Sequence, residues 1–351
     1  MALFSLAVLY LVVTIGWIAY HNYQPQLLIR YDLNSLKPTI FGIQGIVLII
    51  TPILAGFLGD WQRNRGLGRM PIITAGITFA ALIFMSVAFS LFILPDNWVQ
   101  LGLPVLIILW VFAMSLFTSP AISTIEIFSR KIELTTSMAI ITLVFGLVSA
   151  LEPIIVSLID MIGPVLTFAG GGVFVLIAGY WFRKNIKKLP DLGSHEKTGA
   201  IHKNNFLTPL LLGIGLGIIT TFIFNRVPDW VEVKKLPLHG NVVASVTLGL
   251  SAVFALPVGL RFSKILRGMM IYYLVALIMA ALAIIGIQMS FSTLAISFLV
   301  IVLSASYALL FVLGLPLSTR FISDRHRVLG VGIFFAGMEV PNSIVEYFLL
   351  N

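Results

Sequence analysis

The sequence predicts an all-α polytopic membrane protein, and three observations carry that prediction. The 351 residues are 59% hydrophobic and only 10% charged, against about 25% charged in a soluble globular domain. The mean hydropathy is +1.06. Uncharged runs long enough to cross a bilayer as a helix, about 20 residues each, recur along the chain. In hydrocarbon a helix satisfies its backbone polar groups within one segment.

Eleven spans follow in order, and the charged residues between them set their limits. The first, about 3–20, ends before Arg30 and Lys37. Its run (MALFSLAVLYLVVTIGWIAY) lacks the basic start and small-residue cleavage site of a signal peptide and is long enough to span. The second, 39–59, runs into Arg63, Arg65 and Arg69; the third, 71–94, and the fourth, 101–123, lead to Arg130 and Lys131. The fifth, 135–159, carries Glu152-Pro153, and the sixth, 164–182, ends at Arg183. A polar stretch, 183–205, then separates residues 1–182 from residues 206–351. The seventh, 206–225, precedes Arg226, Lys234 and Lys235, and the eighth, 241–260, precedes Arg261, Lys264 and Arg267. The ninth, 268–289, and the tenth, 293–316, lead to Arg320, Arg325 and Arg327, where the eleventh, 328–349, begins.

Seventeen of the 22 Lys and Arg residues fall in loops on one side of this zigzag and five on the other. The excess marks the cytoplasmic side, so the N terminus is expected inside, in a multi-pass protein of the cell (inner) membrane. The same distribution accounts for the net charge of +8 without a nucleic-acid partner. With no cysteine, disulfides and thiolate chemistry are excluded. The five histidines show no metal-ligand spacing, and His195 and His202 lie in the polar central stretch. No P-loop, Gly-x-Ser-x-Gly or paired loop acids point to an enzyme, and neither a cofactor nor a metal is expected.

Three pairs of motifs link span n to span n + 6. Asn22-x-x-Pro25 matches Asn225-x-x-Pro228, Pro120-Ala-Ile-Ser123-Thr124 matches Pro316-Leu-Ser318-Thr319, and Glu152-Pro153 matches Glu339-Val-Pro341. Their common register suggests two related six-helix halves with a solute site between them near the midplane.

The loop Gly56-Phe-Leu-Gly-Asp60-Trp-Gln-Arg63-Asn-Arg65-Gly-Leu-Gly68-Arg69-Met-Pro71 resembles the signature loop of the major facilitator superfamily, in the long form found in glycoside–cation symporters and sucrose-type transporters. Pro52, Gly56, Asp60, Arg63, Arg65, Gly68, Arg69, Pro71 and Gly76 match that form, and the region from Tyr307 to Asn342 resembles the tenth and eleventh helices of those transporters. Trp61 and Met70 depart from it where basic residues are usual, Thr51 stands where a cation-binding Asp is common, and the loop after the eighth span lacks the Asp. The resemblance implies two six-helix halves. Eleven spans are visible, the twelfth is missing, and the second half is incomplete. It also implies a cytoplasmic latch made of Gly56, Asp60, Arg65, Gly68, Arg69 and Asp324. In that latch Asp60 meets the start of the eleventh helix, and Arg65 and Arg69 pair with Asp60 or Asp324.

Acids inside spans are functional hypotheses by default. Glu339 lies roughly 17 Å into its helix and Glu152 about 26 Å into a straight fifth span, at about 1.5 Å per residue. Both are candidate proton carriers, and no Lys or Arg within a span is available to pair with Glu339. Asp160 and Glu346 fall near the outer boundary, where solvation is expected. Tyr20, His21, Asn22, Asn225, Arg226 and Asn342 are candidate solute-binding residues: aromatic faces and amides suit a sugar, and Arg226 suits an anion. The expected function is a secondary active transporter of a small polar solute, a sugar or glycoside, coupled to a proton or other cation. It is expected to work as a monomer in the lipid bilayer. Two alternatives are an exporter of an amphipathic compound or organic anion, and a non-transporting protein on a transporter fold.

Overall fold

A computed structural model describes residues 1–125, 134–187, 204–234, 236–263 and 268–349. Arg130, Lys131, Lys188, His195, Lys197, His202, Lys203, Lys235, Lys264 and Arg267 lie outside the described residues. The helices are α1 (Ala2–Arg30), α2 (Lys37–Asn64), α3 (Met70–Ile93), α4 (Asp96–Ser123), α5 (Leu134–Ala150), α6 (Glu152–Ile162) and α7 (Pro164–Ile186). They continue with α8 (Leu207–Thr221), α9 (Val227–Val233), α10 (Gly240–Phe262), α11 (Met269–Met289), α12 (Thr293–Arg320) and α13 (Arg327–Leu349). Among the described residues ten continuous segments are long and apolar enough to cross a membrane, and α5 with α6, bent by 60°, passes the same test as a pair and makes an eleventh when taken as one span. Successive crossings alternate in direction. Arg63, Arg69, Arg183, Arg261, Arg320 and Arg327 therefore share one end of the bundle, called here the basic end.

Five prolines open helices, where the missing N–H costs least. Pro38, Pro71, Pro153, Pro164 and Pro228 occupy the first helical positions of their elements. Three expectations need correction. The first crossing does not stop near residue 20; α1 continues through Pro25 to Arg30, so His21 and Asn22 are helical. The seventh continues through a π-helical turn, Phe222–Arg226, into α9, which puts Asn225 and Arg226 inside the crossing. The fifth is not straight. Pro153 cannot donate to the preceding turn and its ring crowds the carbonyl four residues back, so Glu152 opens a separate helix.

Helices α1–α7 and α8–α13 meet chiefly along two seams, α2 against α13 and α5 against α10. Under the n + 6 correspondence these seams are images of each other. Small residues let both close. A methyl group added at Gly56 would lie 2.7 Å from Leu329 Cα and 2.7 Å from the Val328 carbonyl oxygen. Along α5 and α10, Gly146 faces Leu248 and Ala252, and Gly259 faces Ala139. Where lipid offers apolar side chains no less than a neighbouring helix does, such close backbone approach is what favours association.

Candidate functional site: a latch at the basic end and a polar seam between the halves

The latch follows from α2 carrying Gly56 and Asp60 one turn apart. Gly56 admits the backbone of α13, and Asp60, 4% exposed, reaches its first turn. Asp60 Oδ1 accepts the Val328 N–H at 3.1 Å and Oδ2 accepts the Leu329 N–H at 2.8 Å. These N–H groups have no partner within their own helix, and the helix dipole adds attraction for a carboxylate there. Beyond Asp60, Gly66 and Gly68 take φ of 78° and 69°, a left-handed conformation that glycine adopts without steric cost. That turn brings Arg69 back into the protein. Arg69 is 8% exposed, and its guanidinium donates to the Ser123 carbonyl and hydroxyl and acts electrostatically on Asp60.

Two expected latch pairings are corrected. Arg65 is exposed and its guanidinium lies 4.0 Å from the Trp61 ring centroid, a cation–π contact that also gives Trp61 a partner. Asp324 pairs instead with Arg327 at 2.5 Å, three residues along its own chain. At the image of the latch on the other seam, Thr135 and Thr136 hydroxyls donate to the Gly259 carbonyl at 3.3 Å each.

The polar seam lies further from the basic end. Glu339 is half-buried on α13, about 18 Å from the helix start at 1.5 Å per residue. It has no hydrogen bond or ion pair among the described residues. Tyr10 of α1 feels its charge, and Tyr10 in turn neighbours Tyr307 of α12, whose hydroxyl is 3.2 Å from that of Thr220 on α8. One turn beyond Glu339, Asn342 accepts from Asn225 of the π turn at 3.2 Å and donates to Glu346 at 2.9 Å. Glu346 is therefore half-buried and bonded rather than solvated. Tyr20 feels the Glu346 charge and accepts from Gln44, which accepts from Gln24 at 3.1 Å. The π turn sits where one residue must be re-aimed, a common placement for such turns.

Other candidates fall elsewhere. Asn22 donates to Asp160 at 2.7 Å and accepts from Gln26, so it ties α1 to α6 and is spent on that bond; Asp160 is likewise engaged. His21 is exposed and stacks on Trp17 at 5.7 Å. Glu152 stands at the bend, away from Glu339. Arg226 is half-buried with no partner among the described residues. Gln44 and Thr220 were missed by sequence reasoning. Gln44 had a usable signal, an amide in the middle of an apolar span.

A helical bundle of two groups that touch along two long seams, with a capped helix at one end and polar groups between, has the architecture of a membrane carrier. The Major Facilitator Superfamily model matches residues 6–345, and the chain belongs to that family. It is a multi-pass transporter, not an enzyme. The human organic anion transporter MFSD10 (TETRAN) is similar in structure, with a TM-score of 0.74, 11% identity, and 99% of this chain and 93% of that chain covered. A bacterial homologue of the iron transporter ferroportin, in an outward-facing state, gives 0.68, 16% identity, 99% and 91%. No curated protein sequence matches the chain. At these identities the likeness is one of fold.

Proposed function

We propose that the chain is a secondary transporter that moves a small polar solute by alternating access, coupled to a proton carried on Glu339. The observation that supports this most is the Glu339 carboxylate itself, unpartnered among the described residues at mid-depth between the halves. An ionised carboxylate there is costly to hold, and taking up a proton relieves that cost. Asp60 on the first turn of α13 supports a latch that holds the basic end shut in this conformation and releases when it opens. The loop charges support a cytoplasmic basic end, with the N terminus inside and the protein in the cell (inner) membrane. A sugar draws less support than the sequence suggested, because Asn22, Gln24, Gln44, Asn225 and Asn342 are engaged with protein partners. An organic anion is the second reading: Arg226 has no partner among the described residues, and a structural neighbour is described as an organic anion transporter.

The test is uptake by the purified protein in liposomes, over a panel of neutral, anionic and cationic solutes, with and without an imposed pH gradient. Glu339→Gln should abolish gradient-driven accumulation while leaving insertion and solute exchange intact. Normal uphill transport by that variant would remove the coupling assignment, and transport of no solute by the intact protein would leave a non-transporting role.

A further inference from the structure

The turn that leads into the latch is tied to a second part of the chain. Between α12 and α13 a 3-10 turn, Asp324–His326, runs directly into Arg327, Val328 and Leu329, and the last two give their N–H groups to Asp60. The described end of the polar stretch 183–205 is stitched to this turn at two points. Asn205 donates its N–H to the Phe321 carbonyl at 3.0 Å, and Asn204 Oδ1 accepts the Ser323 N–H at 2.8 Å. Asn205 Oδ1 also accepts the Thr208 N–H at 3.2 Å, so the stitched segment opens α8 as well.

The Ser323 contact fixes which way the Asn204 amide points. A backbone N–H can only donate, so Oδ1 faces it and Nδ2 is turned to His326 Nδ1, at 3.2 Å. The Ser323 hydroxyl lies 3.2 Å from the same nitrogen. An amide NH₂ only donates, so Nδ1 is the acceptor and carries no proton. His326 is half-buried, with its ring edge-on to Phe206 at 6.2 Å. A proton on Nδ1 would set N–H against NH₂; the hydroxyl can rotate to accept it, and the amide cannot. Among the described residues, the elements packed against the turn bring Asp60 and Arg63 at the end of α2 and Arg327 at the start of α13. The turn itself holds Asp324 and Arg325, and α12 ends at Arg320. Asp60 and Asp324 are already engaged, so a positive charge on His326 would arise among arginines.

We infer that His326 is a proton sensor for the latch, reading the pH on the side of the membrane that the basic end faces. The inference rests on the latch at Asp60 and adds an input to it. With Nδ1 bare, Asn204 holds the turn, and α13 presents the Val328 and Leu329 N–H groups to Asp60. When His326 takes a proton from solvent, the Asn204 bond is lost. The turn loosens just ahead of Val328, and the basic end opens more readily. Closure is therefore favoured at higher pH and weakened as pH falls. This proton is separate from the one carried on Glu339, which lies more than three turns further along α13.

Spin labels at Asn64→Cys and Arg261→Cys, both exposed, at the basic ends of α2 and α10, report the separation of the halves in the purified full-length protein. By pulsed electron–electron distance measurement, the longer-distance population should grow roughly fivefold between about pH 8 and 5.5, the weight of one hydrogen bond. His326→Gln, whose amide oxygen accepts but does not titrate, should stay closed at both ends of that range. Asn204→Asp offers a carboxylate to the protonated ring and should reverse the sign of the response, which a merely structural role for these residues would not do. The response should persist in Glu339→Gln, which removes the coupling proton. No response in the labelled parent, an unchanged response in His326→Gln, failure of Asn204→Asp to reverse it, or its loss in Glu339→Gln would overturn the inference. If Asp60→Asn leaves the distances unaltered, the latch fails and the sensor with it. If Asp60→Asn lengthens them while His326→Gln still responds to pH, the latch stands and only the sensor fails.

Discussion

Replacing Asp60 by Asn leaves the shape of the side chain and removes its charge, which isolates the latch. In the wild-type protein both carboxylate oxygens accept from the start of α13, at 3.1 and 2.8 Å. The amide keeps one acceptor and turns an NH₂ donor toward the second backbone N–H, so one bond is lost and the other is no longer charge-assisted. A hydrogen bond to a charged group contributes about 1.5–3 kcal/mol, and a carboxylate at a helix N terminus up to about 2 kcal/mol. Against this stands the desolvation cost of Asp60, which the neutral side chain avoids. A net loss of about 2 kcal/mol shifts the balance between closed and open basic ends roughly 30-fold toward open. The chain contains no cysteine, so Asn64→Cys and Arg325→Cys, both exposed and on opposite halves, take spin labels nowhere else. Pulsed electron–electron distance measurement should show a longer-distance population growing in Asp60→Asn, with transport slowed and solute preference unchanged. A distance distribution identical to that of the unmutated pair, or a changed solute preference, would refute the latch.

Three further outcomes are expected. Gly56→Ala puts a methyl group 2.7 Å from the α13 backbone, where nothing flexible can yield. It should cost about 1–3 kcal/mol, seen as a lowered melting temperature and as the same lengthened distance between spin labels. Arg69→Ala removes the buried donor to the Ser123 carbonyl and hydroxyl and the cation beside Asp60. Thermal unfolding in detergent should report a loss of about 2–3 kcal/mol, and Arg69→Lys should recover part of it. At the opposite end, Lys234 donates to the Ile287, Gln288 and Ser290 carbonyls at 2.5, 2.8 and 2.7 Å, satisfying the last turn of α11. Lys234→Met should lower stability by about 1 kcal/mol without altering which solute is carried.

Much of the fold was legible because bilayer physics acts on local sequence. Each crossing needs about 20 apolar residues, and the loops between crossings sort by charge; both are read from runs along the chain. Asp60 and Gly56 were legible for a similar reason, since a carboxylate at a helix end and a glycine one turn earlier are local features. Helix ends were less so. Polar His21, Asn22 and Gln24 looked like an exit from the membrane, but α1 continues through them, with Asn22 bonded to Asp160 and Gln24 buried against Gln44, which no window of α1 alone can reveal.

The chain order by itself determined that this is a helical membrane protein of about eleven crossings, that its charged loops share one side, and that Asp60 lies at a helix end. Only the tertiary structure decided the partners: Asp60 with the Val328 and Leu329 N–H groups, Arg65 with Trp61, Asp324 with Arg327, Asn22 with Asp160. It also decided that Glu339 is half-buried on α13 with no hydrogen bond or ion pair among the described residues, and that Glu152 stands at the bend between α5 and α6. The physical reason is sequence separation. A carboxylate's reach is a few ångströms, its candidate partners lie up to 269 residues away along the chain, and only the packing of helices selects among them.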